Sequence, residues 1–216
     1  MANKITPEKR LHPEIVAVLI TGLLKFPMMD WLNYRAFYII GVVLFWTYFI
    51  YRSYKNDPKA LERWGIQKKN FRISMRALLP FALIAIPVVL IYGWQNNTVS
   101  YNWHLLPILI LYPVWGTFQQ FIVASLVAGN LKYSSGAQLN DSAIILFVAA
   151  LFALMHSSDW VLVAYVFVME IFFLWVYLRW RNLWALGIYH GIVSALFLFY
   201  VSGRDLFQEL FTIFNA

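Results

Sequence analysis

Six polar side chains stand inside otherwise apolar stretches of this sequence: Gln119, Gln120, His156, Glu170, His190 and, one helical turn further on, Ser194. An imidazole can move a proton or ligate a metal, and a carboxyl can act as base or ligand. An amide only donates and accepts hydrogen bonds, because it cannot take up a proton near neutral pH. His156, His190 and Glu170 would together make a sensible ligand set for a divalent metal such as zinc. Glu170 alone would serve either as a base or as a neutral acid bonded to a Tyr or a Gln. Each group also has a plainer role, since a Gln or His that bonds a neighbouring membrane helix contributes about 0.6 kcal/mol of cohesion.

The elements that must position these groups follow from composition. The 216 residues are 62% hydrophobic and 12% charged, against roughly 25% charged in soluble domains, which indicates a membrane protein and excludes a soluble enzyme. The lack of cysteine excludes a disulfide scaffold, a thiolate metal site and a cysteine nucleophile. A spanning helix needs about 20 mostly apolar residues. Ala36 to Tyr51, Leu78 to Trp94, Leu105 to Ala128, Ala143 to His156, Val161 to Leu178 and Leu183 to Val201 read as spans. Ile15 to Leu32, interrupted by Lys25 and Asp30, reads as a seventh. No stretch alternates as a barrel strand does. The expected fold is all-α, a polytopic membrane helical bundle of six or seven spans, in a single domain over residues 1–216.

The formal net charge is +7, and one loop holds most of it: Arg52, Lys55, Lys59, Arg63, Lys68, Lys69, Arg72 and Arg76, against Asp57 and Glu62. Basic loops stay cytoplasmic, so this loop, Lys132 and the Arg179–Arg181 turn are expected on that side, with Lys4, Lys9 and Arg10. Charge gathered beside spans suits the bilayer as partner and argues against nucleic acid. The amino terminus shows no cleavable signal pattern. Leu206 to Phe214 is too short to span and is expected in the interface, with Leu206, Leu210 and Ile213 on one side.

Depth links the polar groups. At 1.5 Å per residue, Gln119 lies about 15 Å from the cytoplasmic end of its helix, His190 about 10 Å and His156 about 21 Å. Three helices thus supply polar side chains at overlapping depth, as a buried site requires.

The order of these residues resembles a family. Gln119-Gln120-Phe121-Ile122-Val123-Ala124, then Phe152-Ala153-Leu154-Met155-His156, then His190-Gly191-Ile192-Val193-Ser194 are similar to the EExxxR, FxxxH and HxxxN motifs of the CPBP intramembrane proteases, which include the type II CAAX prenyl proteases. The second motif matches fully, and the third has Ser194 in place of Asn. Leu183-Trp184-Ala185 and Arg63-Trp64-Gly65-Ile66 also resemble family text, so that the likeness spans about Leu61 to Val201. The resemblance implies a site at Gln119, Gln120, His156, His190 and Ser194. In the family, glutamate as base and histidines that bind the water, the oxyanion or a metal are thought to drive attack on a peptide carbonyl. Here glutamine replaces both glutamates and Ala124 replaces the arginine, which implies a catalytically impaired member.

Three functions are therefore expected as alternatives. One is a pseudoprotease that binds a client or fits against other integral membrane proteins, as 19% aromatic residues would suit. Another is an active intramembrane endopeptidase that processes a membrane-bound peptide, with Glu170 as base. The third places a haem or chlorophyll-like pigment on the histidines.

Overall fold

Apolar stretches set where the helices run, and polar side chains set where several begin. The computed structural model describes residues 13–32, 34–99, 103–133, 139–157 and 159–212, and among these there is no strand. Lys4, Lys9, Arg10 and Ile213 lie outside the described residues. The helices are α1 (Pro13–Lys25), extended by a π-helical stretch at Phe26–Trp31, α2 (Arg35–Asn56), the short α3 (Ala60–Arg63) and α4 (Phe71–Gln95). α5 (Leu105–Gln120) passes through a second π-helical stretch, Phe121–Gly129, into α6 (Asn130–Tyr133). They are followed by α7 (Asp141–Leu154), α8 (Trp160–Trp180), α9 (Leu183–Tyr200) and α10 (Leu206–Thr212). Asn140, Asp159 and Asn182 cap α7, α8 and α9, each accepting from a backbone N–H in the first turn.

Among the described residues five helices are long and apolar enough to cross a membrane: Ala36–Asn56, Phe71–Gln95, Leu105–Tyr133, Trp160–Trp180 and Leu183–Tyr200. The expected span at Ala143–His156 forms the shorter apolar helix Asp141–Leu154. The stretch at Ile15–Leu32 is helical as far as Trp31, but Lys25 and Asp30 lower its apolar character. The expected loop at Arg52–Arg76 is shorter than its run of charge. Arg52 and Lys55 end α2 and Arg72 and Arg76 begin α4, because Lys and Arg are good helix formers and prolong the spans past their apolar stretches.

α9 lies at the centre, held at two places. Along its length Gly187 and Gly191 form a Gly-x-x-x-Gly pattern that packs on α5. A Cβ at Gly187 would collide with Thr117, and one at Gly191 with the backbone of Tyr112 and Pro113. Gly116 on α5 answers them, since its Cβ would lie 2.8 Å from the Gly187 carbonyl oxygen. Small residues of this kind let membrane helices meet backbone to backbone. At its start, α9 is held by the loop after α3. Gly65, at φ +84°, offers its carbonyl to the Leu183 N–H at 2.9 Å. Buried Asn182 donates to the Gln67 and Lys69 carbonyls at 2.7 and 2.9 Å. The Tyr177 hydroxyl, from α8, donates to the Trp64 carbonyl at 3.0 Å.

Candidate functional site

The α5–α9 seam brings Gln120 beside His190. Gln120 is one turn past Gly116 and His190 immediately precedes Gly191, so glycine contact at one level places the two side chains together at the next. Gln120 Nε2 lies 2.8 Å from Glu170 Oε2 on α8 and 3.1 Å from His190 Nδ1 on α9. All three residues are buried, Gln120 and Glu170 completely. Gln120 Oε1 and Glu170 Oε1 are buried with no hydrogen-bond partner. Gln120 is also the last α-helical residue before the π-helical stretch. A change to π-helical hydrogen bonding is frequent at functional sites.

His156 reaches this group through an aromatic ring. Phe152, the first residue of the matching FxxxH pattern, has its ring centroid 5.0 Å from that of His156 and 6.0 Å from that of His190. Phe173 completes the surround of His190 at 6.3 Å. His156 itself sits in the turn after α7, half-buried, with Nδ1 3.0 Å from the Phe152 carbonyl oxygen.

The sequence-derived residues are thus divided. Gln120, Glu170 and His190 converge directly, and His156 touches them through Phe152. Gln119 is half-buried, turned about 100° around the helix from Gln120. Ser194 is buried but donates to Met169 Sδ at 3.8 Å rather than to the amide or the imidazole. Ala124, at the position of the family's arginine, is wholly buried in the π-helical stretch.

The expected metal ligand set of His156, His190 and Glu170 does not form a three-residue group in the structure. Among the described residues no group of three or more His, Cys, Asp or Glu side chains could hold a metal ion. The Gln120 amide takes up both Glu170 Oε2 and His190 Nδ1, while His156 Nδ1 is committed to its own helical turn. What the arrangement can do is bind through a polar centre in an apolar shell, with one carboxyl and one imidazole joined by an amide.

Sequence reasoning missed the glycine seam, although Gly187-Ile188-Tyr189-His190-Gly191 carries its signal. It also missed the π-helical stretch and the docking of the Trp64–Lys69 loop on Asn182, neither of which has a local signature.

No curated protein and no solved structure matches the chain significantly. A family model does match, described as type II CAAX prenyl endopeptidase Rce1-like, over residues 101–196. This interval contains every member of the cluster and the whole α5–α9 seam. Over residues 101–196, then, the chain carries the sequence pattern of the Rce1-like type II CAAX prenyl endopeptidases, within the CPBP family, on a helical membrane scaffold.

Proposed function

We propose that the protein is a catalytically impaired CPBP-family member that binds a membrane-bound peptide or another integral membrane protein through the retained fold. One observation carries this reading: the side chain that joins Glu170 to His190 is the Gln120 amide. An amide there can orient its neighbours but cannot take a proton from water. The direct test is restoration. Gln119→Glu, Gln120→Glu and Ala124→Arg together should raise hydrolysis of a prenylated or membrane-anchored peptide above the wild-type level, because general-base assistance typically contributes 10²–10⁴-fold. Robust wild-type hydrolysis that the triple variant does not exceed would refute the proposal.

A second reading has its own support. Glu170 Oε1 is wholly buried and unpartnered, and one amide separates the carboxyl from the His190 imidazole, which suits a base awaiting water. In that case the protein is an active endopeptidase with its base moved from α5 to α8.

The bilayer topology belongs to the same proposal. With the basic segment from Arg52 to Arg76 on the cytoplasmic side, its cations would meet anionic headgroups. Labelling of single cysteines placed at Lys59 and Lys68 would locate them, and reactivity from the outer face alone would reverse the orientation.

A further inference from the structure

We propose that Glu170, acting through the Gln120 amide, fixes His190 in the tautomer that carries its proton on Nε2. Glu170 is thereby a positioning residue for an imidazole it does not touch.

The inference rests on matching donors to acceptors. Gln120 Nε2 bears two N–H groups and no lone pair for accepting. It faces Glu170 Oε2 at 2.8 Å and His190 Nδ1 at 3.1 Å. Both partners must accept for both contacts to be hydrogen bonds, so His190 Nδ1 presents a lone pair and the ring proton sits on Nε2. Turning the amide over would aim Oε1 at the same two atoms. That arrangement is bonded only if Glu170 donates an O–H and His190 donates from Nδ1. The acceptor on Glu170 therefore selects the amide orientation, and the amide passes the choice to the imidazole.

His156 provides the contrast. Its Nδ1 lies 3.0 Å from the Phe152 carbonyl oxygen, which can only accept. The ring proton of a neutral His156 therefore sits on Nδ1. The two imidazoles that share Phe152 are held in opposite tautomers, one by a side-chain relay and the other by backbone. The His190 ring has little room to turn. Phe152 and Phe173 flank it, and even a Cβ at Gly116 would come within 3.1 Å of its Cδ2. This assignment stands on the cluster alone and holds whether or not the protein cleaves peptides.

The test is nitrogen NMR of the full chain in lipid nanodiscs, with histidine labelled at both ring nitrogens and His190 assigned by its loss in His190→Gln. The wild type should show His190 with Nδ1 unprotonated and Nε2 protonated. In Gln120→Leu the relay between Glu170 and the imidazole is gone, so the preference for the Nε2–H form should be lost. In Glu170→Gln a group of the same shape can either donate or accept. The ratio of the Nε2–H to the Nδ1–H form should then fall about five-fold, the factor one ordinary hydrogen bond carries, while His156 stays as it was. Glu170→Leu should produce the same fall. If it does not fold, the near-isosteric Glu170→Gln decides alone. A protonated Nδ1 in the wild type, or an unchanged ratio in the Glu170 variants, would overturn the proposal. A merely structural Glu170 would alter stability without moving the proton.

Discussion

α2 and α9 are both long and apolar enough to span a bilayer, yet 72% of the most apolar stretch of α9 is buried and only 6% of that of α2. The large side chains of α2 point outward, with Phe37 74% and Leu44 64% exposed. It is attached by Trp46, fully buried, which begins an aromatic ladder through Phe49 and Trp64 to Phe121, and by the Tyr38 hydroxyl, which donates to the Thr21 carbonyl at 2.6 Å. α9 instead meets its neighbours with glycines and carries His190. Lipid is as apolar as a leucine core, so hydrophobicity cannot choose which helices go inside. Close backbone approach and buried polar bonds make that choice.

If that contrast holds, the largest effect should come from adding volume at the seam. Gly191→Leu would drive a side chain into the Pro113 backbone, and we expect loss of the folded monodisperse protein in detergent. Gly187→Ala should cost about 1–3 kcal/mol as overpacking, read as a lower midpoint of thermal unfolding. The matched control lies in α2: Gly41 has nothing within 4 Å of a built Cβ, so Gly41→Ala should be neutral or raise the midpoint. Equal losses at Gly41 and Gly187 would break the comparison.

Removing a buried partner should come next. Glu170→Leu leaves the Gln120 amide without one acceptor, at a cost of about 1–3 kcal/mol by the same measurement. Asn182→Ala should cost about 1 kcal/mol for the lost cap, and more if its two bonds to the Gln67–Lys69 loop carry the α9 start. Truncation on the lipid side of α2, as in Leu44→Ala, should stay within about 0.5 kcal/mol. The smallest effect is expected at the exposed end of α2. The hydrogen bond from Arg63 holds the Asp57 carboxyl below its ordinary value, and the Lys59 N–H adds to this. A lowered folded-state value means that the contact is intact above the ordinary carboxylate range and lost as pH falls through the lowered one. Asp57→Asn should erase that small acid-side change in amide exchange of the 57–63 segment.

The helical membrane class was legible because composition and 20-residue apolar runs are set by the bilayer itself. The contact of His190 with Gln120 was legible through shared depth and the motif resemblance, but depth says nothing about rotation. Gln120 and Gln119 have the same chemistry and nearly the same depth, and one turns inward while the other is half-buried. Rotation likewise decides the partner of Ser194, since spacing along α9 cannot show that Met169 takes the hydroxyl. The Arg63–Ile66 text resembled the family without a visible cause. In the structure this segment fastens the turn that starts α9, with the Gly65 carbonyl accepting from the Leu183 N–H.

The central claim is that an amide at Gln120 leaves this centre without a working base. It is tested most directly by measuring single-turnover cleavage of a prenylated membrane peptide by the wild-type protein and by Glu170→Gln, side by side in nanodiscs. The account predicts no cleavage above the protein-free background for either. Wild-type cleavage that Glu170→Gln abolishes would contradict it and assign the base to Glu170.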